Sequence, residues 1–318
     1  MEKGKISIVI PAYNAENTIG RLLDQFFMQT YTDLEIIVVN DGSTDNTRSV
    51  CERIKDKRVS LFNITNHGQG YARNYGLDRA HGEFVGFCDA DDEIEPDMYE
   101  SLIKMIVEHN ADMACCGHCD VRGGGKLIER RSHDKGCLNK NEALKCLVKG
   151  QTIRWSVWDK LFRSDKIGRL RFPTEKVNGE DVLFLLEFIK RNTTFYYADL
   201  GKYHYWRDNP DSFTKREWSP SRYGLTLLYK SLYETMVEYQ IKDCIQETQI
   251  RYYENLLSTF IRSSRYGYKE LQEKTYDLIK KEKVGIRKCK GMSTLLKFDL
   301  ILCLYMPELA LKINFFYK

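Results

Sequence analysis

The chain has 318 residues, which is enough for one large domain or two modest ones, and its 42% hydrophobic and 30% charged residues are typical of a globular protein. The formal net charge of +4 is too small to favour a nucleic-acid partner, and no run of about 20 apolar residues predicts a transmembrane helix. Ten cysteines, with no signal-peptide pattern ahead of the first predicted strand, predict reduced thiols and a cytoplasmic protein.

The first third of the chain alternates β-branched runs with segments of helical periodicity. The predicted strands cover 6–11, 34–40, 59–64 and 83–87, and the predicted helices between them cover 15–27, 44–54 and 70–80. Nearly continuous apolar strands indicate burial on both faces, so we expect a mostly parallel sheet flanked by helices. Ligands bind such sheets at the carboxyl ends of the strands.

From about residue 111 the pattern becomes mixed. A strand over 111–121, three glycines and the segment 126–131 predict a hairpin. Further predicted elements are a helix over 139–149, a helix from Glu180 and short strands near 194–197 and 202–206. Beyond about residue 216 the sequence is helical and aromatic, so we predict a domain boundary there.

The segment 295–317 combines apolar residues with Lys297 and Lys312, and Lys318 follows it. This pattern predicts an amphipathic helix, a break at Pro307 and a second short helix. Two interpretations stay open. The helices pack on the core, or their apolar and basic residues contact an anionic membrane surface.

An acidic cluster, Asp89, Asp91 and Asp92, directly follows the predicted strand 83–87. Carboxylates at the end of a buried strand repel one another and resist desolvation. A bound divalent cation is the usual way in which a protein compensates such a concentration of negative charge. For this short pattern taken alone, a solvated acidic turn is the alternative interpretation.

Four segments, taken in order, resemble family 2 glycosyltransferases with the GT-A fold. They are Val-Ile-Pro-Ala-Tyr-Asn at 9–14, Val-Asn-Asp-Gly-Ser-Thr-Asp at 39–45, Gly-Tyr-Ala-Arg-Asn at 70–74 and Asp-Ala-Asp-Asp at 89–92. The segments 158–162 and 179–184 resemble the acceptor-side half of bacterial members that build capsule, exopolysaccharide or O-antigen. The resemblance covers about residues 5–215.

This resemblance implies an α/β protein of the GT-A fold, with a Rossmann-like, mostly parallel central sheet and a C-terminal α-helical region. The GT-A domain would cover 1–215, divided into a nucleotide-sugar-binding half at 1–110 and an acceptor-side half at 111–215. The helical region would cover 216–318.

The resemblance also implies an inverting, metal-dependent hexosyltransferase. It would move a sugar from a UDP-sugar to a hydroxyl of a growing, lipid-linked surface polysaccharide. The protein would be cytoplasmic or peripheral on the inner face of the cell membrane. Two alternatives stay open: a nucleotidyltransferase, although residues 10–20 lack its usual Gly-rich phosphate loop, and a noncatalytic nucleotide- or carbohydrate-binding protein.

On the nucleotide side, the resemblance assigns donor binding to Pro11, Tyr13, Asp41 and Arg73. Tyr13 would stack on the base, Asp41 would accept a hydrogen bond from the base edge, and Arg73 would contact the base or a phosphate. The side-chain chemistry agrees with these roles. An aromatic ring can stack on a base, a carboxylate can accept a hydrogen bond from an imide N–H, and a guanidinium can donate to oxygen acceptors.

On the diphosphate side, the resemblance makes Asp91 the direct ligand of Mn²⁺ or Mg²⁺, with Asp89 as a second ligand or ribose contact. Both cations prefer carboxylate oxygens. Ala90 lies between them in the same donor-binding segment. Arg207 is assigned to the diphosphate from the segments 204–208 and 212–214, which resemble a loop that closes over the donor.

On the acceptor side, Asp181 is the candidate general base. It lies with Glu180 ahead of an apolar helix, where the ordinary preference of acids for a helix start is the competing explanation. Trp158 is either part of an acceptor platform or packed in the core.

Overall fold

The computed structural model describes residues 1–122, 125–129, 135–175, 178–207 and 218–313. The chain divides into two compact units. The first comprises Met1–Lys176 with Glu180–Arg216, and the second comprises Val177–Gly179 with Glu217–Lys318.

The first unit has an α/β architecture. Its strands, in chain order, are β1 Glu2–Ala12, β2 Leu34–Asp41, β3 Val59–Ile64, β4 Gly82–Phe87, β5 Glu93–Ile94, β6 Met113–Cys115, β7 His118–Arg122, β8 Lys126–Glu129, β9 Lys135–Asn139, β10 Lys160–Arg163, β11 Thr194–Ala198 and β12 Tyr203–Trp206. Its helices are α1 Ile19–Phe27, α2 Thr47–Arg53, α3 Gln69–Leu77, α4 Met98–His109, α5 Lys140–Lys149, α6 Ser164–Ile167 and α7 Glu180–Arg191.

A central sheet runs in the order β3-β2-β1-β4-β10-β6-β11-β9, and a smaller sheet runs β5-β12-β7-β8. The first four strands of the central sheet are mutually parallel, whereas β10 is antiparallel to both of its neighbours. The predicted mostly parallel sheet with flanking helices is therefore confirmed. The four predicted N-terminal strands are confirmed too, with bounds that differ by no more than four residues.

Both faces of β2, β4 and the second half of β1 are buried, as their uninterrupted apolar sequences predict, whereas the edge strand β3 is partly exposed. Ile8 and Ile10 of β1 face a core to which α1 and α4 contribute, while Ile37 of β2 faces a smaller cluster around Ala72 of α3. Helix α3 approaches β1 closely, because a Cβ on Gly76 would lie only 2.3 Å from a methyl carbon of Val9.

The prediction of a single strand over 111–121 is wrong. The segment forms β6 in the central sheet and β7 in the smaller sheet, and the chain turns between them at Gly117, which has φ +70°. This left-handed conformation favours glycine. The hairpin is confirmed as the antiparallel pair of β7 and β8. The remainder of its predicted second strand, 130–131, lies outside the described residues.

The second unit is helical, as predicted for the C-terminal region. It contains a 3₁₀ turn at Pro220–Arg222 followed by α8 Tyr223–Glu238, α9 Lys242–Arg265, α10 Lys269–Lys281, α11 Lys283–Lys288, α12 Thr294–Tyr305 and α13 Pro307–Ile313. Its core is formed by apolar side chains of α9 together with residues of α10 to α13. Pro307 opens α13, where its missing N–H costs no helical hydrogen bond.

Helix α12 is not amphipathic, so that prediction is wrong. Leu296 and Leu300 are buried in the core of the second unit, but Leu295 and Phe298 on the other side are about half exposed. One side of α12 therefore packs in the core of the second unit, and the exposed side is apolar too. In the described part of the chain, no helix is long and apolar enough to cross a bilayer.

Candidate active site

The carboxyl ends of β1, β2 and β4 emerge at one edge of the sheet. Val9 of β1 pairs with both Ile37 of β2 and Phe87 of β4, which sets the three strands in register. The polar segments after these strands therefore leave the sheet side by side, as predicted for a ligand-binding edge of a parallel sheet.

The loops after β1 and β2 are joined by reciprocal hydrogen bonds. The Asn14 backbone N–H donates to Ser43 Oγ at 3.0 Å, and the Thr44 N–H donates to Asn14 Oδ1 at 2.9 Å. Asn14 has φ +51°, a left-handed conformation that asparagine tolerates. This loop leaves Tyr13 48% exposed, so its ring is available for stacking, whereas Pro11 is buried within β1.

Asp41 fixes the loop that precedes α3. Its two carboxylate oxygens accept the backbone N–H groups of His67 and Gly68, each at 2.8 Å. Next to it, Gly42 has φ +70°, and a Cβ there would lie 2.7 Å from the backbone nitrogen of Asn66. Asp41 and Gly42 thus set the starting position of the helix that carries Arg73.

Arg73 lies at the centre of a charge cluster, which we call the Arg73 cluster and which contains Arg73, Asp89, Glu180 and Asp181. The Arg73 side chain is buried, whereas the three carboxylate side chains are partly buried, with 17–21% of their surface exposed. Arg73 Nη2 is 3.0 Å from Asp89 Oδ1, and Nη1 is 3.5 Å from Glu180 Oε1. Nη1 also donates a hydrogen bond to Asp181 Oδ1. The cluster brings the end of β4 to the start of α7, so the predicted donor-side and acceptor-side carboxylates meet at one guanidinium.

The environment of this cluster shifts the proton affinities of its members. Burial raises the pKa of Asp89 to about 6, against the lowering effect of Arg73. Burial also raises the pKa of Asp181 to about 6, again opposed by Arg73 and reinforced by Glu180. Burial alone would lower the pKa of Arg73, but the neighbouring carboxylates hold it above its ordinary value. The guanidinium therefore stays charged, while Asp89 and Asp181 titrate nearer to neutrality than ordinary carboxylates do.

Two further contacts hold the carboxylates of Asp89 and Asp181 in place. The Gln69 side-chain amide donates to Asp89 Oδ1 at 2.9 Å, and the Val157 backbone N–H donates to the Asp181 carboxylate. Neither Gln69 nor Val157 could be predicted from sequence, because the partner of each is distant in the chain.

Asp92 and Tyr203 support the acidic segment from beneath. The fully buried Tyr203 hydroxyl donates to Asp92 Oδ2 at 2.7 Å and accepts the Asp89 backbone N–H at 3.1 Å. The Trp206 backbone N–H donates to Asp92 Oδ1 at 2.9 Å. The Asp92 side chain thus points into the protein. Its bonds to β12, together with the bond from the Asp89 N–H to Tyr203, fix the backbone of the acidic segment.

The carboxylates at the end of β4 fit a divalent cation only in part. Asp89 and Asp91 supply the hard oxygen atoms that Mn²⁺ and Mg²⁺ prefer, and their mutual repulsion favours a positive charge. Among the residues that the structure describes, however, no group of three His, Cys, Asp or Glu side chains is placed to hold a metal. A cation here would need ligand oxygens to complete its coordination, as is common for Mg²⁺ bound with phosphates.

The remaining predicted residues have these positions. Arg207 Nε is 2.9 Å from Asp120 Oδ1, and its guanidinium lies over the Tyr205 ring. The segment 212–214, assigned with it, lies outside the described residues.

Trp158 is 7% exposed and stacks on Tyr203 with a centroid distance of 4.1 Å, so its packing interpretation is the one that the structure shows.

Comparison with known proteins identifies the family. The model of glycosyl transferase family 2 matches residues 7–166. The glycosyltransferase GlyA of Streptococcus pneumoniae is 35% identical over 192 residues, a match that covers 56% of this chain and 27% of GlyA. The uncharacterized glycosyltransferase YibD of Escherichia coli is 32% identical over 214 residues, covering 64% of this chain and 62% of YibD. The chain thus spans about a quarter of GlyA and less than two thirds of YibD.

Among solved structures, Staphylococcus aureus TarS 1–349 in complex with UDP-GlcNAc aligns with a TM-score of 0.66 at 21% identity. The alignment covers 94% of this chain and 91% of the TarS chain. The structural similarity to TarS shows the fold of the chain, and the match to the family model shows the family to which the chain belongs. The chain belongs to glycosyl transferase family 2 and has the GT-A fold.

Proposed function

We propose that this chain is an inverting hexosyltransferase that moves a sugar from a UDP-sugar to a hydroxyl of a growing surface polysaccharide. The observation that carries the proposal is the Arg73 cluster, in which the donor-side Asp89 and the acceptor-side Asp181 share one buried guanidinium. TarS, whose fold this chain shares, was solved with UDP-GlcNAc, which supports a UDP-sugar as the donor.

The nucleotide would lie at the sheet edge beside Tyr13. An aromatic ring that is half exposed at the carboxyl end of β1 suits base stacking. Pro11 and Asp41 would flank the base, and Ala90, which has a small side chain, would let the ribose and diphosphate approach the end of β4. Arg207 would move from Asp120 to the diphosphate when the donor binds.

Asp91 and Asp89 would hold Mn²⁺ or Mg²⁺ together with oxygens of the donor diphosphate. The bound cation would supply positive charge to the departing UDP. Tyr203 and Asp92 would keep the backbone of this segment fixed, because they bond it from the buried side.

Asp181 would act as the general base. It would take the proton of the acceptor hydroxyl while that oxygen attacks the anomeric carbon, and UDP would leave from the opposite face with inversion. A pKa of about 6 suits this role, since the carboxylate is ionised near neutral pH and yet more basic than an ordinary aspartate. Arg73 and the Val157 N–H hold the carboxylate in orientation.

The second unit would bring the enzyme to a lipid-linked acceptor at the inner face of a cell membrane. On α12, Leu295 and Phe298 expose apolar side chains, and Tyr305 at its end is about half exposed. The segment 280–313 has eight basic and three acidic residues. Exposed apolar side chains on a basic segment suit an anionic lipid surface.

Vesicle co-sedimentation tests this membrane contact. The double variant Leu295→Ser with Phe298→Ser should lose sedimentation with vesicles that contain anionic phosphatidylglycerol, whereas Val237→Ser, on an exposed position of α8, should not. Phosphatidylcholine vesicles serve as the uncharged control. Equal sedimentation of the wild type and the double variant would remove the membrane contact from the proposal.

The enzymatic proposal is tested with a panel of UDP-sugars, Mn²⁺ and saccharide acceptors, with released UDP and the anomeric configuration of the product as readouts. We expect UDP release that depends on an acceptor, and a product of inverted configuration. Release of pyrophosphate from UTP and a sugar phosphate would instead indicate a nucleotidyltransferase. Calorimetric binding of UDP without turnover of any donor would indicate a noncatalytic binding protein.

A further inference from the structure

We propose that Arg73 is a positioning residue that acts through Asp89 and Asp181 and does not contact the nucleotide. The inference rests on the proposed function, because it gives Asp89 to the donor side and Asp181 to the acceptor side. It differs from the role expected from the sequence, which was a direct contact to the base or a phosphate.

The Arg73 side chain is buried against the segment at 172–173. Arg73 is 1% exposed, and its guanidinium carbon lies 5.3 Å from the centre of the Phe172 ring. The next residue, Asn74, accepts the Phe172 N–H and donates to the Phe172 carbonyl, each at 2.8 Å. Helix α3 is thus fixed to the segment at 172–173. A Cβ on Gly70 would lie 2.3 Å from the Pro173 carbonyl oxygen, which leaves no room between them.

The Arg73 guanidinium bonds two carboxylates that come from separate elements. Nη2 bonds Asp89 and Nη1 bonds Asp181, and these partners are 16 and 108 residues away in the chain. Nε has no hydrogen-bond acceptor among the described residues. The two outer nitrogens of the planar guanidinium therefore hold two carboxylates from separate elements at a fixed distance from each other. The single ammonium group of a lysine reproduces this arrangement poorly.

The charges of the Arg73 cluster are unbalanced. One buried guanidinium faces the partly buried carboxylates of Asp89, Asp181 and Glu180. Without a shared cation of the right shape, Asp89 and Asp181 repel each other and the end of β4 moves relative to the start of α7. The donor and the base would then lose their mutual alignment, which slows the chemical step more than it weakens UDP binding.

The variant Arg73→Lys tests this inference, because it keeps the positive charge and thereby the compensation of the buried carboxylates. We expect kcat to fall about 10²-fold, while the KM for the donor and the Kd for UDP by calorimetry change less than about threefold. Arg58→Lys is the matched control. Arg58 pairs with a single carboxylate, Asp56, near the start of β3, at the opposite end of the strands, and its substitution should leave kcat unchanged.

Several outcomes would overturn the inference. A UDP Kd raised tenfold or more in Arg73→Lys would make Arg73 a nucleotide contact, and an unchanged kcat would give it no role in alignment. Loss of stability with normal kcat and KM in the folded fraction would make it a purely structural residue.

If the wild type turns over no UDP-sugar, the proposed function fails separately, and two measurements still decide the inference. UDP titration of Arg73→Lys reports nucleotide contact without turnover. Double-mutant unfolding cycles of Arg73→Lys with Asp89→Asn and with Asp181→Asn should both be non-additive. Additive unfolding free energies in either cycle would contradict a residue that links the two carboxylates.

Discussion

Tyr203→Phe removes one hydroxyl from beneath the acidic segment and leaves the aromatic ring in place. That hydroxyl donates to Asp92 and accepts the backbone N–H of Asp89, and the side chain is fully buried. Its loss removes a hydrogen bond to a buried carboxyl group and leaves a buried N–H without an acceptor. Together these effects cost about 2–4 kcal/mol of the free energy of unfolding. The stacking of the ring on Trp158 is retained.

Urea unfolding of the wild type and the variant measures this cost. Tyr205→Phe is the matched control, because Tyr205 also stacks on Trp158, whereas its hydroxyl bonds no residue in the described part of the chain. We expect the control to change the free energy of unfolding by less than about 0.5 kcal/mol. Equal effects of the two substitutions would refute the assigned role of the Tyr203 hydroxyl.

Three further predictions concern pH, backbone and metal. Because burial raises the pKa of Asp181 from 3.8 to about 6, the folded protein binds more protons than the unfolded chain between these pH values. The wild-type free energy of unfolding, relative to Asp181→Asn, should therefore fall as pH rises through this window and stay level above it, in urea titrations at several pH values. Gly42→Ala should cost about 1–3 kcal/mol in the same assay, since its Cβ would meet the Asn66 nitrogen at positive φ. Asp91→Asn should weaken Mn²⁺ binding in the presence of UDP at least about tenfold, measured by the electron paramagnetic resonance signal of free Mn²⁺.

The N-terminal strands could be predicted from sequence because their signal is local. Uninterrupted β-branched runs such as 34–40 can be buried on both faces only in a covered sheet, and the polar segments after them then fall at one edge. Helix α4 has the same kind of local signal, with Met98, Leu102, Met105 and Ile106 at helical spacing, and the prediction missed it.

Other features could not be read from local sequence. The separation of β6 from β7 depends on one positive φ at Gly117. The burial of Arg73 depends on partners that are far away in the chain, and arginine is rarely buried, so local sequence does not predict it. The ligand contact assigned to Arg73 came from the family resemblance. The hydrogen bonds of Tyr203 likewise depend on strand pairing between β12 and β5, which the sequence pattern does not specify.

The proposed function requires Asp181 to act as the base in a sugar transfer that the Arg73 cluster supports. Asp181→Asn tests it most directly when transfer from a UDP-sugar and UDP binding are measured on the same preparation, with Glu180→Gln as the neighbouring control. We predict that Asp181→Asn binds UDP as the wild type does but transfers about 10²- to 10⁴-fold more slowly, and that Glu180→Gln loses less than about tenfold. Wild-type turnover by Asp181→Asn would contradict the claim.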